Sequence, residues 1–433
     1  MTISTDFLTY FFLFACVLYN FLLCPVFVIS EFLSHRRTKR STHSSLANSG
    51  EQLPIMTVMI PALNEERVLE GTLHRLLSLP YPTQLEVLII DDNSDDGTAA
   101  IAEKISATHE TAYLLQRGPD RSRRGKGDAL NCGFSYLRAT FPERDLENWV
   151  IGVFDADGRP VEEDFLAETG RVFLDHSVAA TQCGVRIRNG HNLLAALQDV
   201  EFLAWSFIAQ TVRDRTSGAV ALGGNGQFIR AAVLDQLSNE LGCWDDLSLT
   251  EDLDVGTRIH LQGGRIRFIH RWVEQEGIES IKVLFRQRHR WAWGTLQAFL
   301  KYVTTGRIMG AKISLAKKLD LQYYLSLWVV PVVVFISFVL SLLNFSGLLY
   351  IENNFGVGLL IANSFSFVPL VILGLLWAKV PAYKLTYLIP LTVIYAYHWI
   401  PAVILGWVSI LAKKKPSWAK TRRFVVEEVR EWL

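Results

Sequence analysis

Leu85-Glu86-Val87-Leu88-Ile89-Ile90 runs directly into Asp91-Asp92-Asn93-Ser94-Asp95-Asp96-Gly97-Thr98, and the reading of that junction decides the fold. The first six residues form a short segment rich in Val, Ile and Leu, as in a strand buried on both faces. The polar residues after it suit a loop that opens a helix, because Asp and Ser cap the free backbone N–H groups of a helix start. Working outward, Met56–Ile60 repeats the strand pattern, Glu66–Leu79 and Gly97–Thr108 show helical spacing, and Trp149–Phe154 supplies a third buried strand. The alternation predicts a βαβ series with a parallel sheet, beginning near Pro54. In such sheets ligands bind at the carboxyl ends of the strands, and the acidic clusters all fall there.

The rest of the chain has a different character. Of 433 residues half are apolar, and 43 basic side chains balance 43 acidic ones, which removes any global electrostatic case for binding nucleic acid. Long apolar runs lie at Phe7–Leu33, Leu321–Phe345, Gly356–Ala378 and Leu385–Ala412. Each exceeds the ~20 residues a helix needs to cross a bilayer. The first is too long for the apolar part of a cleaved signal and is read as a retained anchor. His35-Arg36-Arg37-Thr38-Lys39-Arg40 follows it and places the next domain in the cytoplasm. The expected organisation is an amino-terminal transmembrane helix over 1–34, a cytoplasmic linker over 35–53 and an α/β domain over 54–278. Interfacial amphipathic helices over 279–320, an α-helical transmembrane region over 321–412 and a basic tail over 413–433 complete it. Pro390 and Pro401 interrupt the last run, and a simple crossing there would put the basic tail outside, so a cytoplasmic tail is favoured. Five cysteines without metal-ligand spacing suggest neither a zinc site nor a disulfide framework.

Several short segments carry chemistry. Asp91 and Asp92 continue from an apolar strand into the mouth of the sheet, where a carboxylate can accept hydrogen bonds from a ribose or a base edge. Asp155-Ala156-Asp157 ends the third strand, and in extended geometry residues two apart project to the same side. Two carboxylates so placed can hold Mg²⁺ or Mn²⁺, although many turns contain the same triplet. Arg123-Arg124-Gly125-Lys126-Gly127-Asp128 is either an exposed basic loop or a turn presenting Lys126 to an anion. It lacks the spacing of a P-loop. In Thr250-Glu251-Asp252, Glu251 can cap a helix, while Asp252 can act as a general base. Gln287-Arg288-His289-Arg290-Trp291 taken alone reads as a membrane-interface anchor.

Taken in order, Ile60-Pro61-Ala62-Leu63-Asn64-Glu65-Glu66, Asp91-Asp92, Gly125-Lys126-Gly127, Asp155-Ala156-Asp157, Thr250-Glu251-Asp252 and Gln287-Arg288-His289-Arg290-Trp291 resemble the membrane-bound processive glycosyltransferases of family 2, such as cellulose, hyaluronan and poly-N-acetylglucosamine synthases. The resemblance implies a Rossmann-like GT-A fold that uses a UDP-sugar, UDP-glucose or UDP-N-acetylglucosamine, and transfers the sugar with inversion to a growing chain. By that analogy Asp92 contacts the uridine, with the loop from Pro61 to Glu65 beside it. Lys126 lies near the diphosphate, and Asp155 and Asp157 bind it through Mg²⁺ or Mn²⁺, Asp157 being the more direct ligand. Asp252, with Glu251 beside it, is the catalytic pair, Asp252 taking the acceptor proton. Gln287, Arg290 and Trp291 close the acceptor end. Gly223-Gly224-Asn225-Gly226 stands where relatives line the acceptor site, or is a plain turn. Trp418-Ala419-Lys420-Thr421-Arg422-Arg423 resembles a tail motif that closes over the nucleotide. The implied partners are a UDP-sugar donor, a polysaccharide or lipid-linked acceptor, the lipid bilayer and an accessory export subunit. Two alternatives stand beside the polymer synthase. One is a transferase adding a single sugar to a lipid, the other a catalytically silent sugar-nucleotide-binding export subunit.

Overall fold

The computed structural model describes residues 22, 25–29, 52–238, 242–348 and 366–414. Most of the expected amino-terminal anchor and linker, the first part of the run Gly356–Ala378, and the basic tail with its Trp418–Arg423 motif lie outside the described residues.

One mixed sheet organises the chain. Its strands are β1 Ile55–Ala62, β2 Leu85–Asp91, β3 Ala112–Gln116, β4 Trp149–Val153, β5 Arg159–Pro160, β6 Val178–Ile187, β7 Gln227–Arg230 and β8 Arg265–Gln275, in the order β3-β2-β1-β4-β7-β6-β8-β5. The four strands β3, β2, β1 and β4 are parallel, as the βαβ pattern predicts. The second half departs from it, because β7 runs antiparallel to both β4 and β6. That reversal pairs Val153 with Gln227. The glycine-rich segment before β7 is thereby delivered to the carboxyl end of β4.

The period of two in a strand sorts side chains between the two faces. Val58, Ile60, Val87 and Ile89 pack with α1 Leu69–Ser78, α2 Thr98–Thr108 and α4 Phe165–Val172 on one face. Met59, Leu88, Ile90 and Ile151 pack with α3 Lys126–Thr140 on the other. The second core does not end with the sheet. It continues through α5 Leu193–Glu201, the wider π segment Phe202–Ile208 and α6 Ala209–Arg215, past α7 Ala231–Leu237, into α13 Val368–Trp377 and α14 Ala382–Ala396. Phe207 shows the continuity, its ring centroid lying 4.1 Å from that of Trp377 and 4.8 Å from that of Trp272 on β8.

Between these lie α8 Glu251–Leu261, α9 Ile281–Ala298 with its π extension Phe299–Val303, α10 Arg307–Gly310, α11 Leu315–Ser326 and α12 Val330–Phe345. The run expected to start a span at Leu321 begins as a helix at Leu315. Its first half is held on the α/β domain, where Arg213 donates to buried Asp320 at 2.9 Å. Among the described residues one helical stretch, Ala382–Leu411, is long and apolar enough to cross a membrane, at 30 residues. It comprises α14, with Pro390 inside it, and α15 Trp399–Leu411. It packs along α9, where a Cβ on Gly406 would meet Leu296 at 3.1 Å.

Candidate active site

Adjacent strand ends build the floor. Ala62 is in register with Asp91, and the Asp92 N–H donates to the Ala62 carbonyl at 2.8 Å, so the segment from Pro61 to Glu65 emerges beside Asp92. Asp92 is buried and gripped from two sides: the Arg117 guanidinium donates to one oxygen at 2.5 Å and the Arg123 N–H to the other at 3.0 Å. Arg117 also pairs with Asp128 on α3. Burial pushes the Asp92 carboxyl above its ordinary range, with the Arg123 N–H and Arg117 opposing.

The next strand end meets the start of α3. Gly125, at φ 134°, leads into the helix in a conformation that L side chains rarely adopt. Lys126 then points its ammonium at Asp155 Oδ1 (2.5 Å) and the Gly224 carbonyl (2.7 Å), with Glu251 Oε1 at 3.7 Å. Gly224 is the hub of this arrangement. A Cβ there would stand 3.0 Å from Lys126 Nζ, 3.4 Å from Asp252 Oδ2 and 4.0 Å from Asp155 Oδ2.

Glu251 and Asp252 open α8, where acidic side chains suit the helix dipole. That helix is anchored from behind. Lys301 donates to Asp254 at 2.7 Å and to Asp245 at 2.8 Å, and the Tyr302 hydroxyl donates to Asp254 at 2.6 Å. Burial and the neighbouring Asp252 charge push the Glu251 carboxyl up to about 7 against the pull of Lys126. Burial also raises Asp252, with Lys126 and Arg290 opposing. Both effects are what removal of a carboxylate from water produces.

These groups surround a cavity of about 360 Å³. Pro61, Glu65, Asp92, Lys126, Asp155, Glu251, Asp252, Gln287, Arg290 and Trp291 all line it. Asp91 lies apart from the lining, and so does Asp157. Asp157 is fully buried, and its Oδ2 accepts the Glu276 N–H at 2.9 Å. Asp155 and Asp157 differ in their surroundings for a local reason. The strand stops at Val153, and the chain turns, with the Gly158 N–H bonded to the Asp155 carbonyl at 2.8 Å. The alternation of a strand does not apply to a turn. Among the described residues no group of three or more His, Cys, Asp or Glu side chains is placed to hold a metal ion. Gly223, Gly224 and Asn225 of the glycine segment and Gln287, Arg290 and Trp291 border the cavity.

Some groups at the site went unread in the sequence. Arg117 follows β3, an edge strand with only five residues and no strong apolar signal. Glu201 had a visible sign: Asp199 and Glu201 are the only charged residues between Leu193 and Ile208. Charges inside an apolar helix need partners, and these have them in Arg186 and Arg288.

A family profile described as "Glycosyltransferase like family 2" matches residues 54–294. The chain is 28% identical over 431 residues to "Probable glycosyltransferase YdaM" of Bacillus subtilis, covering 96% of this chain and 98% of that one. It is 32% identical over 282 residues to a β-monoglucosyldiacylglycerol synthase of Trichormus variabilis, covering 64% of this chain and 57% of the relative. It is 30% identical over 261 residues to a poly-β-1,6-N-acetyl-D-glucosamine synthase of Staphylococcus aureus, covering 58% and 57%. Among solved structures, a mannosyltransferase of Pyrobaculum calidifontis in complex with GDP-Man and Mn²⁺ superimposes with a TM-score of 0.55 at 18% identity, covering 94% of this chain and 99% of that one. That likeness shows the fold, a GT-A-like α/β core with a Rossmann-like sheet. With its profile match spanning the sheet and most of α9, the chain belongs to glycosyltransferase family 2 and is a glycosyltransferase.

Proposed function

We propose that the protein is an inverting glycosyltransferase that takes a hexose from UDP-glucose or UDP-N-acetylglucosamine. The observation that carries the reading is the convergence on Gly224 of Asp252, Asp155 and Lys126 in one cavity. Asp92 and the segment from Pro61 to Glu65 hold the uridine, with Arg117 fixing the Asp92 carboxylate. Lys126 faces the diphosphate. The acceptor hydroxyl attacks the anomeric carbon from the side opposite UDP, the bond to the diphosphate oxygen breaks, and Asp252 takes the hydroxyl proton. Glu251 adjusts the charge around that base. Arg290 stabilises the departing phosphates, while Gln287 and Trp291 hold the acceptor sugar.

The residues fit a hard divalent cation of the Mg²⁺ or Mn²⁺ type. Such ions take one or two carboxylates and complete their sphere with phosphates and water, so a three-carboxylate cage is not needed. Asp155 is the carboxylate that reaches the cavity, and Asp157 supports the turn beneath it. When bound, the cation supplies charge stabilisation to the diphosphate.

Two acceptors remain in view, a growing β-linked polysaccharide and a lipid. A second cavity of about 320 Å³ favours a lipid-linked acceptor. Its lining is mostly apolar, with Leu327, Val330, Phe367 and Val371 among it. It shares Glu201, Trp205, Tyr324, Trp328 and Trp399 with the site. An apolar chamber suits an acyl or prenyl tail better than a hydrated polymer. The stretch Ala382–Leu411 would seat the enzyme in the bilayer with the site on the cytoplasmic face. The experiment is UDP release from UDP-glucose, UDP-N-acetylglucosamine and UDP-glucuronate with Mg²⁺ or Mn²⁺, with sizing of the product. A product one sugar larger than an added lipid supports the lipid acceptor. A long glycosidase-sensitive chain made without lipid supports the polysaccharide.

A further inference from the structure

Where the two cavities meet, three side chains share the carboxylate of a fourth. Glu201, the last residue of α5, accepts from Arg288 Nη2 at 2.5 Å and from the Tyr395 hydroxyl at 2.9 Å on Oε2, and from Trp399 Nε1 at 2.8 Å on Oε1. Arg288 is fully buried. Its guanidinium lies 4.2 Å from the Trp291 ring centroid and 5.2 Å from that of Trp399, as in cation–π contacts. Phe202, the residue after Glu201, meets Trp291 edge-on at 6.4 Å. Glu201 and Trp399 line both cavities, while Tyr395 lines the apolar one.

A buried ion pair is a poor source of net stability, since apolar residues of the same volume often serve as well. Its value lies in fixing one geometry. Here the geometry it fixes is that of the acceptor wall. We infer that Glu201 and Arg288 are positioning residues. Arg288, oriented by Glu201, holds the face of Trp291 and the adjoining turn with Arg290 toward the cavity, and Tyr395 and Trp399 register that wall against the stretch Ala382–Leu411. Donor groups lie elsewhere: Asp92, Lys126 and Asp155 make none of these contacts. The cluster therefore acts on the acceptor half of the reaction alone. This rests on the sugar-transfer reading given above.

The test uses membrane vesicles containing the full chain, with their own acceptors, and labelled UDP-glucose or UDP-N-acetylglucosamine. Sugar incorporated into lipid or polymer is counted separately from free sugar released by hydrolysis, and UDP affinity is measured on the same preparations. Glu201→Gln and Arg288→Lys are expected to lower incorporation roughly tenfold or more, the factor for one well-placed interaction of ~1.4 kcal/mol. Hydrolysis and UDP affinity stay within about twofold, and the double variant is no worse than the weaker single one, as for residues acting as one unit. Tyr395→Phe removes a single hydroxyl and carries the test should Arg288→Lys not fold; the same split between incorporation and hydrolysis is expected of it. Incorporation at the wild-type level overturns the inference, and so does a parallel loss of incorporation, hydrolysis and UDP affinity. Asp252→Asn separates the two readings: normal incorporation in that variant would sink the sugar-transfer reading, whatever Glu201 does.

Discussion

At the scale of single residues the account turns on Asp252 and Glu251. A base works only when deprotonated, and burial has raised both carboxyls, Glu251 to about 7. Activity is therefore present above that region and lost as pH falls through it, with the two groups titrating as a pair. The expected profile of kcat/KM against pH bends downward near pH 7, well above the ~4 of a free carboxyl. Glu251→Gln removes one titration of the pair and its charge, and should move the bend to lower pH; an unmoved bend would assign it to another group. Gly224 offers a second check. A methyl group there would sit 3.0 Å from Lys126 Nζ and 3.4 Å from Asp252 Oδ2. Gly224→Ala should cut turnover by roughly ten- to a hundredfold, about 1.4–2.8 kcal/mol of barrier, with the melting temperature nearly unchanged. Asp92, Lys126, Asp155 and Asp252 were legible in the sequence because each stands at the end of an apolar strand or the start of a helix. Asp157 stands outside the cavity lining because the strand stops at Val153, a point that no pattern in the sequence marks.

At the scale of elements, the strands β1, β2 and β4 could be read directly, since burial on both faces leaves an unbroken apolar run. The antiparallel β7 could not, because its partners lie far away in sequence and its four residues carry little pattern. Helix α9 shows how elements meet at the site. A Cβ on Gly294 would approach Thr250 Cγ2 and Oγ1 at 2.7 Å and its backbone N at 2.8 Å. Only a bare backbone lets α9 come so close to the start of α8. Gly294→Val should push α9 away from Asp252, destabilising the fold by about 1–3 kcal/mol as overpacking does. Thermal unfolding and turnover would both fall, whereas a variant with wild-type melting and activity would show that the contact is slack. The π extension Phe299–Val303 has a matching role, since it carries the Lys301 and Tyr302 groups that hold Asp254.

At the scale of the whole molecule, the apolar helices are not an appendage, because Leu370, Val371, Leu375 and Leu388 belong to the same core as α3 and β4. The sequence marked those helices by composition, but their packing on the α/β domain follows from tertiary contacts that no local pattern encodes. Acid should loosen this joint structure. Burial pulls His260 and His270 down to about 4, so both stay neutral in the folded chain. Their folded values lie below the unfolded ~6.5, so the stability they contribute is complete above that pH and lost as pH falls toward 4. Melting in detergent or nanodiscs should drop between pH 6.5 and 4, and His260→Gln should flatten the slope; a slope identical to the parent would remove His260 from the effect.

The measurement that bears most directly on the central claim compares the parent with Asp252→Asn in nanodiscs, reading UDP binding and sugar transfer from UDP-glucose and UDP-N-acetylglucosamine in the presence of Mg²⁺ or Mn²⁺. The account predicts UDP affinity within about twofold of the parent and transfer reduced by at least ~10²-fold, the range expected for loss of a general base. Transfer at the parental rate with UDP still bound would contradict it.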